Sequence, residues 1–217
     1  MRFSAVIFDM DGVLIDSEPL SMRALVATAD AFGVTLPKDR LEQWPGKAAH
    51  MVFAEIEELL QGAAGIREFE TLYNAIYSAW LPHVDTIPGA VELHAFARGT
   101  GVPVGLATST SRHWALGVVQ KLGLDFETVV AQEDVANNKP APDAYLKAAD
   151  GLGVSPGGCL VVEDSLSGVA AGAAAGCTVW AYDGSFPAEQ LLDRGAHRIF
   201  SSHFDLIDAL RAEVPST

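Results

Sequence analysis

Six short apolar runs, each ending in polar residues and most of them separated by a helical pattern closed by glycine, restrict what this chain of 217 residues can fold into. The runs span residues 5–9, 102–108, 128–132, 159–164, 178–183 and 198–201. Helical periodicity fills 111–122, 143–152 and 166–175, and each segment is followed by a glycine (Gly123, Gly153, Gly176) suited to a left-handed C-terminal cap. The runs Val102-Pro103-Val104-Gly105-Leu106-Ala107 and Cys159-Leu160-Val161-Val162 lack the polar alternation of a half-solvated strand. Strands of that kind are buried on both faces, so the pattern predicts an α/β fold: a parallel sheet covered by helices on each side.

One connection breaks the rhythm. Between Asp9 and Val102 lie more than ninety residues without a convincing strand, but with helical spacing at Met22, Leu25, Val26, Ala29 and Phe32, again at Val52, Ile56, Leu59 and Leu60, and again at Phe69, Leu72, Ile76 and Trp80. Only 89–98 is needed as a crossover helix. Residues 16–86 therefore read as an inserted helical subdomain, a lid over the strand ends, and residues 1–15 with 87–217 as the core.

In open parallel sheets ligands bind beyond the carboxyl ends of the strands. Four strand ends here carry polar groups: Asp9 and Asp11; Thr108, Ser109 and Thr110; the run Asn137-Asn138-Lys139-Pro140; and Glu163-Asp164-Ser165. Carboxylates gathered in one crevice repel, by about 3 kcal/mol for two charges about 5 Å apart at an effective dielectric near 20. An all-oxygen donor set without histidine or cysteine suits Mg²⁺ better than zinc or copper. Thr108 and Ser109 stand where the next helix starts, a natural anion site, and Lys139 supplies a second positive charge. The crevice reads as a Mg²⁺-assisted phosphate site.

The charge balance limits the partners. Asp and Glu number 28 against 14 Lys and Arg, a net charge of −14, which repels nucleic acid and anionic lipid. No segment approaches the roughly 18 uninterrupted apolar residues of a membrane span. A small-molecule phosphate ester, a cytoplasmic location and a monomer are expected. Cys159 and Cys177 are expected to be buried free thiols.

These motifs taken together, DMDGVLIDSE from Asp9, ATST from Ala107, NKPAPDAY from Asn138 and VVEDSLSG from Val161, resemble the haloacid dehalogenase-like phosphohydrolases, in the subgroup of β-phosphoglucomutases and phosphoglycolate phosphatases. The resemblance implies a Rossmann-like core with a helical cap. It also implies that Asp9 is the nucleophile and a Mg²⁺ ligand, and that Asp11 moves protons while its backbone carbonyl binds the metal. Asp164 would be a further ligand, with Glu163 a ligand or its neighbour. Thr108, the Ser109 amide and Lys139 would hold the phosphoryl oxygens, and Lys47 in the cap is a candidate substrate contact. The implied activity is a Mg²⁺-dependent phosphatase working through an aspartyl phosphate on a sugar phosphate, polyol phosphate or phosphoglycolate.

Other readings remain beside it. A phosphomutase is the alternative, weakened because Ser21 stands where those enzymes carry a cap histidine and Gly46 is followed by Lys47-Ala48-Ala49 rather than by their arginine. A receiver-type phosphoacceptor shares the residue types, but here the candidate aspartate follows the first strand and not the third. A catalytically silent binding protein of the same fold is the last. A calcium loop fails because Val13, Leu14 and Leu20 occupy positions that need an oxygen ligand, a glycine and a glutamate.

Overall fold

The computed structural model describes residues 2–44 and 49–214. Its strands are β1 (Ala5–Phe8), β2 (Ile15–Asp16), β3 (Asp85–Thr86), β4 (Val104–Ala107), β5 (Thr128–Val130), β6 (Cys159–Glu163), β7 (Thr178–Tyr182) and β8 (Arg198–Phe200). Its helices are α1 (Glu18–Ala31), α2 (Lys38–Gln43), α3 (Ala49–Leu60), α4 (Ile66–Trp80), α5 (Ala90–Gly99), α6 (Arg112–Leu122), α7 (Asp143–Gly151), α8 (Leu166–Ala174), α9 (Ala188–Asp193) and α10 (His203–Ala212), with three short 3₁₀ turns between them. The chain divides into two compact units, Met1–Ile15 with Thr86–Thr217, and Asp16–Asp85.

The larger unit is built on a six-stranded sheet in the order β5-β4-β1-β6-β7-β8. Every pairing in it is parallel, with Val6 opposite both Val104 and Leu160. This is the α/β, Rossmann-like parallel core that the strand and helix alternation predicts. Every residue of β1, β4 and β6 is buried, which explains why these runs show no polar alternation. Ile7, Val161 and Val179 from three strands share one cluster with Tyr145 and Ala148 of α7 and Val169 of α8. The helix ends follow their punctuation: Gly123 closes α6 in the left-handed region at φ 65°. Strand order reverses at β1, because the chain builds outward through β4 and β5 and then returns to β1's other side with β6. Such a reversal opens a crevice at the carboxyl ends of the two strands that flank it.

The expected strands run a residue or two too long. Asp9, Thr108 and Asp164 follow β1, β4 and β6 and are not part of them, because their polar side chains belong to the loops beyond the ladder. β2 and β3, which form a two-stranded sheet, were not foreseen, since two residues leave no alternation to read. Among the described residues, no helix is long and apolar enough to cross a membrane, and Cys159 and Cys177 are buried and unbridged.

The unit Asp16–Asp85 is helical and has a core of its own around Leu25, Trp44, Ile56, Leu60 and Phe69. Phe69 stacks on Phe32 at 6.0 Å and meets Phe53 edge-on at 6.4 Å. Trp44 is buried with its indole N–H donating to Glu55 Oε2 at 2.9 Å, an oxygen that also accepts from Arg40 at 2.7 Å. Because Phe69 is fully buried at the centre of this cluster, Phe69→Ala is expected to cost about 3–5 kcal/mol of that unit's stability. Urea unfolding followed by tryptophan fluorescence, which Trp44 and Trp80 report from within the unit, measures it.

Candidate active site

The first strand delivers Asp9 to the point of strand reversal. Its backbone N–H donates to Val162 O of β6 at 2.9 Å, which fixes the residue against the end of the neighbouring strand. The chain then turns tightly: Leu14 N and Ile15 N both donate to Met10 O, and Gly12 N donates to Ile15 O at 2.8 Å. Gly12 sits at φ +80°, and a Cβ there would overlap the Asp164 carboxylate. The glycine after the second aspartate is thus required both by the turn and by the approach of β6's acidic end.

β6 contributes Glu163, which is fully buried and the most heavily bonded group of the site. Its Oε2 accepts from the backbone N–H of Asp164 and of Ser165, each at 2.9 Å, and from Ser165 Oγ at 3.0 Å. Its Oε1 accepts from Lys139 Nζ at 2.7 Å and from Tyr145 OH at 2.8 Å. Gly168 on α8 makes room for this carboxylate, since a Cβ there would overlap it.

Lys139 reaches into the same place from the loop before α7. Its ammonium donates to Asp9 Oδ1 at 2.6 Å, to Glu163 Oε1 at 2.7 Å and to Ala107 O at 3.1 Å, and lies 4.8 Å from the centre of the Tyr145 ring. Its three N–H bonds are therefore all engaged. β4 is followed by buried Thr108, whose hydroxyl accepts from Thr110 N at 3.0 Å. Asp11 is held on this side: its Oδ2 accepts from Thr110 Oγ1 at 2.7 Å and, at the long distance of 3.4 Å, from Thr108 Oγ1.

The electrostatics follow from burial. Asp9 is pushed up to about 8, first by burial, against the pull of Lys139, and then by the charges of Glu163 and Asp11. Asp164 is raised well above the usual carboxylate range by burial and by the charges of Glu163 and Asp9. Burial also pushes Glu163 upward, but Lys139 and its hydrogen bonds outweigh it and bring the group below its ordinary value. Lys139 is raised well above an ordinary lysine because Asp9 and Glu163 together overcome its burial. Lys139 is thus shared between Glu163 and Asp9, and among the described residues Asp164 has no ion-pair partner of its own, so the buried carboxylates outnumber the positive charge.

A hard cation fits that deficit. Asp9, Glu163 and Asp164 each offer a carboxylate oxygen, and these atoms lie within 4.8 Å of one another. Asp164 Oδ2 accepts from Ser185 Oγ, whereas its buried Oδ1 has no hydrogen-bond partner among the described residues. A buried, unpartnered carboxylate oxygen in an all-oxygen cluster has the chemistry to ligate a hard cation such as Mg²⁺. The Asp11 carboxylate is outside this cluster and faces the threonines.

The structure therefore brings together Asp9, Lys139, Glu163 and Asp164, and sets Asp11 and Thr108 side by side. Ser109 is exposed, between the two threonines. Lys47 lies outside the described residues. Sequence reasoning gave no role to Thr110, Tyr145 or Ser185, each of which bonds a site carboxylate. The first two stand within the quoted motifs, so position was the only signal that marked them.

Comparison with known proteins gives the family. Residues 3–176 match the family described as haloacid dehalogenase-like hydrolase. The chain is 35% identical over 182 residues to hexitol phosphatase A of Escherichia coli (strain K12), covering 82% of each chain. It is 33% identical over 178 residues to a phosphorylated carbohydrates phosphatase of Thermotoga maritima, covering 79% of this chain and 81% of that one. Among solved structures, a HAD family hydrolase from Deinococcus radiodurans R1 with bound phosphate and sodium superposes with a TM-score of 0.79 at 30% identity, over 97% of this chain and 96% of the other.

Without a cation, the folded protein holds protons on Asp9 and Asp164 that unfolded aspartates release. Its stability accordingly falls as pH rises from the ordinary value of 3.8 toward about 8. A divalent ion bound here displaces those protons, so the increase in Tm produced by Mg²⁺ is expected to be larger at about pH 8 than at about pH 5.5, and Asp164→Asn should abolish most of the difference. Thermal melts at the two pH values check this; a Mg²⁺ effect independent of pH would place the ion elsewhere.

Proposed function

Since the chain belongs to the haloacid dehalogenase-like hydrolases, we propose that it is a Mg²⁺-dependent phosphatase that hydrolyses a small phosphorylated sugar or polyol through a phosphoryl group carried on Asp9. The observation that carries this reading is the buried Lys139 ammonium bridging Asp9 and Glu163 beside the unpartnered Asp164 Oδ1. A structural ion pair would have no use for an orphaned carboxylate oxygen beside it.

The residues divide the reaction as follows. Asp9 attacks phosphorus, and the bond to the ester oxygen breaks as the Asp9–phosphorus bond forms. Asp11 gives a proton to the departing oxygen and later takes one from the water that attacks the phosphoryl group, which releases inorganic phosphate and restores Asp9. Lys139 is held by Glu163 and Ala107 O, so its third N–H can pass from Asp9 to a phosphoryl oxygen without moving the side chain. Thr108 Oγ1 and the Ser109 amide take further phosphoryl oxygens; the long Thr108–Asp11 bond is easily exchanged for one of these. Asp9, Asp164 and the backbone carbonyl of Asp11 would hold Mg²⁺, which would supply positive charge where a dianionic ester approaches these carboxylates. Glu163, with five donors already on its two oxygens, acts by fixing Lys139 and the chain after β6.

The helical unit Asp16–Asp85 is read as the cap that selects the substrate, with Lys47 as a candidate contact. The phosphatase names of the relatives favour water as acceptor over the mutase alternative. Ser21, in place of a cap histidine, spends its hydroxyl on Tyr73 OH at 2.9 Å.

Phosphate release from para-nitrophenyl phosphate, and from a panel of hexitol phosphates, sugar phosphates and phosphoglycolate, tests the reading. Turnover is expected with Mg²⁺ and not with a chelator. Asp9→Asn is expected to abolish it, and Asp11→Asn to lower kcat by about 10²–10⁴-fold. An Asp9→Asn protein as fast as the parent would overturn the mechanism.

A further inference from the structure

We infer that Thr110 is a positioning residue for the proton transfers of Asp11: its hydroxyl fixes which carboxylate oxygen exchanges the proton. The inference rests on the phosphatase reading above, but its observations are separate. Thr110 Oγ1 donates to Asp11 Oδ2 at 2.7 Å, an ordinary hydroxyl–carboxylate distance, and the Thr110 amide donates to Thr108 Oγ1 at 3.0 Å. Thr108 in turn points its hydroxyl at the same Asp11 Oδ2, at 3.4 Å. One residue thus controls the acid directly through its side chain and indirectly through its backbone.

Thr110 is itself held from the opposite side. Its carbonyl accepts from Gln132 N at 3.1 Å, just beyond the end of β5, and Thr108 N donates to Val130 O at 2.9 Å. The hydroxyl therefore stands on backbone tied to the edge strand of the sheet, on a part of the chain that no substrate has to order.

The consequence is chemical. Both hydroxyls converge on Oδ2, so that oxygen is kept as an acceptor, and Oδ1 is the oxygen that carries the exchangeable proton. In the first half-reaction the proton on Oδ1 passes to the ester oxygen as its bond to phosphorus breaks and the Asp9–phosphorus bond forms. In the second, water attacks phosphorus, its proton returns to Oδ1, and Asp9 leaves with its carboxylate restored. Neither step needs Asp11 to change rotamer, because Thr110 holds Oδ2 in both. A carboxylate free to rotate would divide its time between productive and unproductive orientations, and proton transfer is steep in that geometry.

Steady-state kinetics on para-nitrophenyl phosphate with Mg²⁺ provide the test. Thr110→Val keeps the β-branched shape and deletes the donor; it is expected to lower kcat about tenfold or more with KM within about twofold of the parent. Thr110→Ser, which restores the hydroxyl, is expected to recover most of that loss, and Thr110→Ala stands in should the valine variant not fold. In an Asp11→Asn background, Thr110→Val is expected to cost nothing more, because the residue acts through Asp11 alone. A valine variant with the parent's kcat, one that raises KM with kcat intact, or one whose loss adds fully to that of Asp11→Asn overturns the inference and leaves the phosphatase reading standing. A parent that releases no phosphate, or an unimpaired Asp9→Asn, removes that reading instead.

Discussion

Buried carboxylates with too little positive charge are the constraint on which this structure turns. Glu163 is fully buried, and Asp9 and Asp164 nearly so, yet among the described residues only the Lys139 ammonium is ion-paired to them. An unpaired buried charge is expensive, so the group relieves the cost in three ways. Glu163 takes five hydrogen-bond donors, Lys139 among them, and stays ionised. Asp9 shares Lys139 and rises to about 8. Asp164 has Ser185 on one oxygen and nothing on the other. The deficit is concentrated on the two aspartates, where a divalent ion and a phosphoryl group would meet, and it is absent at the glutamate that organises them.

The fold exists to maintain that arrangement. β1 and β6 are fully buried neighbours, and strand order reverses at β1, so their acidic ends fall side by side without any long side chain having to bridge a gap. Two glycines permit the crowding: Gly12 passes under the Asp164 carboxylate and Gly168 under that of Glu163. Any side chain at either place would push an acidic group out of register with the rest. Tyr145 closes the inner wall, with its hydroxyl on Glu163 and its ring against Lys139, so the polar cluster merges into the apolar core through a residue that serves both.

How much of this was legible in the sequence depends on range. The six strands, their parallel arrangement and the helices between them follow from local patterns of a few residues, and they are found within one or two positions. The excess of carboxylates at the strand ends was visible for the same reason. What the residue types could not convey was pairing over distance: Lys139 and Asp9 are 130 residues apart, and Thr110 and Asp11 are 99 apart. Threonine, tyrosine and serine occur everywhere in such chains, so Thr110, Tyr145 and Ser185 acquire meaning only once the sheet has brought an acid to them. The two-residue strands β2 and β3 are invisible for a different reason, being shorter than the period that would reveal them.

Net charge sets a last condition on how such a site can work. At −14 the chain repels a phosphate ester over the range in which its charges are felt, about 8–10 Å at physiological salt. Attraction must therefore be local and must exceed that background, which neither a lone lysine nor a helix end would do against several carboxylates. On the proposed reading, a protein of this composition would gain phosphate affinity by concentrating positive charge within the crevice itself, on a divalent ion at Asp9 and Asp164 and on an ammonium that Glu163 keeps protonated. It follows that the acidic residues are not an obstacle that the site overcomes. They would assemble its positive charge, and the surrounding negative potential disfavours polyanions such as nucleic acid.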